Sequence, residues 1–155
     1  MAQGELFKMV DYGCYLLTTA SGNEVNGMPL SLFMQVCTRP AMVAVGIHPD
    51  RYTHKMVKDS RTFAVIFLRK DQKELVEKFK LESKNKADKF EGLEWSKGVS
   101  GAPILKDCAG YIECRVQDQL FTRGHTIFSA FVVEEKIVKP GALLMLSDLG
   151  ESYPG

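Results

Sequence analysis

A succession of short apolar runs, rich in β-branched and aromatic residues and each closed by a turn signal, limits this chain to a small set of architectures. Tyr12 to Thr19, Leu32 to Thr38, Met42 to Ile47 and Phe63 to Leu68 read as strands, and longer strand patterns return at Cys108 to Leu120 and Thr126 to Lys136. Ser21-Gly22-Asn23, Arg39-Pro40 and His48-Pro49-Asp50 punctuate the first group, Phe121 to His125 joins the last pair, and a final apolar run covers Ala142 to Leu146. Two helices interrupt the pattern. Asp50 is placed to cap a short one over Tyr52 to Lys58, which Asp59-Ser60 ends. Asp71 to Leu81 carries the stripe Leu75, Val76 and Phe79, with Glu74 and Lys78 at i,i+4 on the exposed face. The polar segment Glu82 to Ala102, with Gly92, Gly98 and Gly101, reads as a loop-rich excursion with a helical turn near Ala87 to Phe90. Many strands and two helices fit neither a bundle nor β-α alternation. The expected fold is mainly β, a barrel or closed antiparallel sheet with peripheral helices.

At 155 residues the chain is expected to form a single domain, 1–155. Twenty Lys and Arg against 19 Asp and Glu leave no net field that favours nucleic acid or a membrane surface, so an anion site has to be local. No stretch has the roughly 18 apolar residues of a membrane span, and Met1 to Val10 lacks a signal-peptide core; a cytoplasmic location is expected. Cys14, Cys37, Cys108 and Cys114 have no C-x-x-C spacing, and His48, His54 and His125 make no paired metal spacing, so no metal site is expected. Cys108 and Cys114, six apart in a strand-like run, should share a face about 20 Å apart.

Several catalytic signatures are missing. No G-x-G-x-x-G follows a strand, no G-x-S-x-G or H-E-x-x-H occurs, and Met28-Pro29 stands where a Walker loop beginning at Gly22 would need Lys-Ser/Thr. Two segments remain. His48-Pro-Asp-Arg-Tyr-Thr-His-Lys55 puts Arg51, Tyr52, Thr53, His54 and Lys55 at a helix start, where unpaired N–H groups and a forked guanidinium suit a phosphate. On spacing alone, a solvated basic helix start is the stronger explanation. Asn26-Gly-Met-Pro-Leu-Ser-Leu-Phe-Met-Gln-Val-Cys37 leads small and amide residues into a strand, and Gly27 would let backbone approach a flat heterocycle. An ordinary hairpin arm would look the same.

Taken in order, Asn26-Gly27, Ser31, Gln35-Val36, Arg39-Pro40, Val43 to Gly46, Tyr52-Thr-His54, Phe63-Ala-Val65, Lys89-Phe-Glu-Gly92, Gly101-Ala-Pro103 and Gly124-His125 resemble the flavin-reductase-like FMN-binding split-barrel family. The likeness runs from about Leu6 to Lys139. It implies a Greek-key-like split β-barrel, a homodimer, and FMN near the subunit interface. It also implies that Asn26, Gly27, Met28, Pro29, Ser31, Gln35, Val36 and Cys37 line the flavin ring and ribityl chain, while Arg51 to His54 hold the phosphate. Relatives often carry Gly-Asp-His before the late strand; Arg123-Gly124-His125 lacks the acid, which leaves His125 as the candidate catalytic residue near flavin or nicotinamide.

The activity so implied is an NAD(P)H-dependent flavin oxidoreductase passing electrons through FMN to free flavin or another acceptor. Backbone N–H groups between Met28 and Val36 are expected to stabilise the reduced ring, and Trp95 is either an aromatic cover or a core anchor. The alternatives are an electron carrier that trades with rubredoxin or a similar protein, and a flavin-binding module without turnover.

Overall fold

The computed structural model describes residues 4–81 and 88–152. Its strands and helices follow in the order β1 (Tyr15–Ser21), β2 (Glu24–Leu30), β3 (Phe33–Thr38), β4 (Ala41–Ile47), α1 (Tyr52–Ser60), β5 (Thr62–Phe67), α2 (Lys73–Phe79), β6 (Trp95–Lys97), β7 (Pro103–Leu105), β8 (Gly110–Phe121) and β9 (Thr126–Ile137). Seven strands form one antiparallel sheet in the order β2-β1-β5-β8-β9-β4-β3, and β6 pairs with β7 apart from it.

The two edge strands, β2 and β3, are separated in sequence only by Ser31 and Leu32, so the sheet curls until its edges meet in a split barrel. Leu32 makes the crossing: its carbonyl accepts from Gly46 N–H at 2.9 Å, and a Cβ at Gly46 would meet the Leu32 side chain at 2.8 Å. Tyr15, Phe33 and Phe67 then bring β1, β3 and β5 together edge-on, with ring centroids 4.9 to 5.6 Å apart.

Alternation along the central strands builds two cores. Leu17, Phe63 and Val65 point into the barrel with Val45, Cys114 and Phe128, and Val57 of α1 joins them. Leu16, Ala64 and Ile66 face outward beneath Val76 and Phe79 of α2 and Ile104 and Leu105 of β7. Burial on both faces explains the unbroken apolar run at β5.

Several expectations change. Asn26 to Cys37 is divided between the two edges, and β2, which is not evident in the sequence, tolerates Gly27 and Pro29 because it is an edge strand. Arg51, with φ −79° and ψ 132°, occupies the cap position of α1 in place of Asp50; Asp50 turns to His48 instead, its N–H donating to Nδ1 at 3.2 Å. The helix ends on Arg61 at φ +60°. Among the described residues the expected Glu74–Lys78 ion pair does not form; the pairs next to α2 are Lys80 with Glu77 at 3.0 Å and with Glu151 at 2.9 Å. Part of the polar excursion is the β6–β7 hairpin, and the turn expected near Ala87 to Phe90 falls partly outside the described residues. Residues 142–146 form isolated bridges, Arg69 with Leu143 and Gly13 with Met145, in place of a strand. Cys108 lies before β8 and belongs to the outer core, whereas Cys114 belongs to the inner one, so the two do not share a face. No described helix is long and apolar enough to cross a membrane.

Candidate functional site

Where the barrel is split, a cleft of about 300 Å³ opens between the end of β2 and the end of β4. Met28, Pro29, Leu30 and Ser31 form one wall, and Gly46, His48 and Arg51 form another, with His125 beside them. The far end is closed by Val76 of α2 and Lys80 just past its end, together with Leu146 and Glu151.

Of the residues expected from sequence, Met28, Pro29, Ser31, Arg51 and His125 therefore meet around one cavity. Asn26 and Gly27 lie buried just behind it: Asn26 Oδ1 accepts from Gly27 N–H at 2.8 Å. The space left by the missing Gly27 side chain is filled by the Phe79 ring, which a Cβ would meet at 2.8 Å, so it serves helix packing. Gln35, Val36 and Cys37 run along β3 outside the cleft, with Gln35 Nε2 donating to the Cys37 carbonyl at 3.2 Å.

The first turn of α1 is fastened from three sides. The Thr53 hydroxyl donates to Met28 Sδ at 2.8 Å, His54 Nε2 lies 2.8 Å from Thr126 Oγ1, and the Tyr52 hydroxyl donates to Glu24 Oε2 at 2.6 Å. His54 thereby ties the helix to the residue that follows His125. The helix start carries no acidic side chain; the Arg51 N–H donates to the His48 carbonyl at 3.0 Å and the His54 N–H to the Arg51 carbonyl at 2.9 Å, with the Tyr52 and Thr53 N–H groups between them. Among the described residues, the Arg51 guanidinium makes no ion pair or side-chain hydrogen bond, and it faces the cleft.

Two residues not singled out from sequence complete this region. His48 packs edge-on against His125, with ring centroids 5.3 Å apart. Lys89, only 4% exposed, sends its ammonium to the Gly27 carbonyl at 2.8 Å. Each had a signal: His48 opens the basic segment and Lys89 opens the Lys-Phe-Glu-Gly motif. Neither residue type announces burial or pairing.

Burial, and after it the neighbouring His48, holds the His125 imidazole below its ordinary value. Burial does the same to His54, aided by Lys58 and His48. Both rings are therefore mainly neutral at pH 7. Burial and the charge of Arg51 pull Lys89 down to about 8, and burial pushes the Cys14 thiol up to about 11, which makes it a poor nucleophile. Trp95 stacks on Phe90 at 5.3 Å as a core anchor and does not line the cleft. The arrangement combines an apolar slot, a cationic corner and the neutral His125 imidazole, which suits a flat ring bearing an anionic tail.

Comparison with known proteins agrees with this chemistry. Residues 7–149 match the family described as flavin reductase like domain. The chain is 27% identical over 146 residues to the ferric-chelate reductase (NAD(P)H) of Archaeoglobus fulgidus, covering 93% of this chain and 86% of that one. It is 26% identical over 132 residues to the high molecular weight rubredoxin of Moorella thermoacetica, covering 84% of this chain and 58% of that one. The NADH:FAD oxidoreductase of Streptomyces globisporus, solved in complex with NAD and FAD fragments, superposes with a TM-score of 0.82 at 26% identity, covering 90% of this chain and 83% of that one. Matched along nearly its whole length and sharing the split-barrel architecture, the chain belongs to the flavin-reductase-like domain family.

Proposed function

We propose that this chain is an FMN-dependent oxidoreductase that moves electrons from NAD(P)H to an acceptor, either free flavin or another redox partner. The observation that carries the reading is the junction of the Met28–Ser31 wall with Arg51 at the open start of α1. A phosphate fits there, because a forked guanidinium and helix-start N–H groups present matching donors. The residues of the cleft fit a flavin, since one wall is largely apolar and the anion-binding groups sit at one end of it.

Bound FMN would supply a ring that takes hydride from nicotinamide and passes electrons onward. The protein's share is placement. Arg51 and the first turn of α1 hold the phosphate, while Met28, Pro29 and Ser31 line the ring and ribityl chain. Burial and the neighbouring His48 keep His125 from taking up a proton readily, so it adds little positive charge against a nicotinamide that becomes cationic as it gives up hydride. His54, through Thr126, keeps the histidine hairpin in register with the phosphate corner.

A homodimer in the cytoplasm completes the reading. Its support is the β3 edge, which leaves Met34 61% and Val36 50% exposed beside unpaired backbone, a surface suited to a second copy. The likeness to a rubredoxin-named protein, together with the absent acid before Gly124-His125, favours a second reading: an FMN electron carrier that exchanges with rubredoxin or a similar protein.

The test is spectroscopic. Purified protein loaded with FMN is mixed with NADH or NADPH without oxygen, and rapid bleaching of the yellow chromophore is expected. Bleaching only by a reduced redox protein moves the conclusion to the carrier reading. Failure to retain any flavin overturns both.

A further inference from the structure

The far end of the cleft is closed in part by two side chains that hold each other. Cys14, Val76 and Leu146 line it with apolar surface, and beside them Lys80 Nζ meets Glu151 Oε1 at 2.9 Å. Lys80 lies just past the end of α2, and Glu151 at the tip of the segment 144–151.

The two halves of that segment are held differently. The first is fixed to the body of the protein. Leu144 N–H donates to the Leu68 carbonyl at 2.9 Å and Leu146 N–H to the Tyr12 carbonyl at 2.8 Å. Ser147 gives its N–H and its hydroxyl to Asp11 at 3.1 and 2.6 Å, and Asp148 pairs with Lys70 at 2.7 Å. Past Asp148 the backbone bonds turn inward. Gly150, at φ +68°, donates to the Ser147 carbonyl at 3.1 Å, and Glu151 N–H to the Leu146 carbonyl at 3.2 Å. Leu149 still packs on the outer core, and the tie from the tip beyond it to another element is the Glu151 carboxylate on Lys80.

This tie parts at little cost. Its side chains are 39% and 42% exposed, so water and salt compete for both charges, and Lys80 keeps Glu77 at 3.0 Å when Glu151 leaves. Gly150, in the left-handed region that glycine enters freely, supplies a pivot next to the moving residue.

We propose that Lys80 and Glu151 form a salt-sensitive latch across the far end of the cleft, which sets how fast flavin enters and leaves. The proposal rests on the flavin reading above. The closed latch keeps flavin as a resident cofactor, and the open latch lets it exchange as a substrate. A latch that makes no contact with the flavin acts on passage alone. It scales entry and exit by one factor and leaves their ratio, the affinity, where it was, whereas loss of a ligand contact would speed exit by itself.

The test follows flavin fluorescence in rapid mixing: ligand-free protein is mixed with FMN to read entry, and the complex is diluted to read exit. Glu151→Gln and Lys80→Met are each expected to speed entry and exit together by about threefold to fivefold, with affinity kept within about twofold. Riboflavin, which has no phosphate to be screened, serves for a second series in rising salt. Its exchange should quicken with salt in the native chain and stay nearly constant in Glu151→Gln. The exchanged pair, Lys80→Glu with Glu151→Lys, should return both FMN rates toward native values. Faster exit with unchanged entry, rates equal to the native ones in both single variants, salt-independent exchange in the native chain, or no recovery in the exchanged pair overturns the latch while leaving a flavin site. No binding of any flavin overturns the underlying reading as well. If Lys80→Met fails to fold, Glu151→Gln and the salt series decide.

Discussion

Glu113 and Lys89 are both buried charges, 1% and 4% exposed, and the protein treats them in opposite ways. Glu113 on β8 accepts from Val99 N–H at 3.2 Å, Ser100 N–H at 2.9 Å and Ser100 Oγ at 2.5 Å. Gly98 makes room for that grip, because a Cβ there would collide with the carboxylate. Lys89 has a single carbonyl and a repelling neighbour. A buried charge with a full set of partners fastens a loop; one with a single carbonyl bears more of the cost of its own burial.

The largest effect that can break this comparison lies at Glu113. Glu113→Ala removes three acceptor contacts from the 99–100 turn and should cost about 3 kcal/mol of stability, read as a lower urea midpoint. Flavin affinity of the folded fraction should not change; a selective affinity loss would show that Glu113 belongs to the site and would erase the contrast.

A smaller effect sharpens the other side. The folded pKa of Lys89, about 8, lies below its ordinary 10.5, so between these values the unfolded chain holds more protons than the ligand-free folded chain. This contribution makes folding more favourable as pH rises through that window, and burying the charge is unfavourable below it. Lys89→Met should therefore be at least as stable as the native chain near pH 7, with the difference narrowing toward pH 10. A native advantage at pH 7 in ligand-free protein would give Lys89 the same structural role as Glu113.

The smallest expected effect comes from Tyr52, whose hydroxyl bonds Glu24 on the surface next to the same corner. Tyr52→Phe should leave the urea midpoint nearly unchanged and change FMN affinity by less than about twofold. By accepting a hydrogen bond from the Tyr52 hydroxyl, Glu24 raises the Tyr52 pKa, but exposure keeps that bond weak.

The strands that pack on one or two apolar faces were legible in the sequence because burial writes a period into it; β4, β5, β8 and β9 lie within a few residues of their expected bounds. β2 was hidden because Gly27 and Pro29 are weak strand residues, acceptable only at an edge, and edges are assigned by distant partners. The basic segment at Arg51 and the wall at Met28 to Ser31 could be read as candidates, together with His125. Lys89 could not be read as one from spacing, since a lysine in a polar stretch looks solvated until the fold closes over it. His48 needed the β8–β9 hairpin to bring His125 to it.

The two-residue crossing at Ser31-Leu32 also governs the order of assembly. β3 pairs with β4, but the inner neighbour of β4 is β9, some eighty residues later. The wall from Met28 and the corner at Arg51 therefore leave the ribosome long before the strand that draws them together, and half of the split remains without a sheet to join until Thr126 to Ile137 is made. For this chain, the cleft takes its final shape only once β9 has found β4.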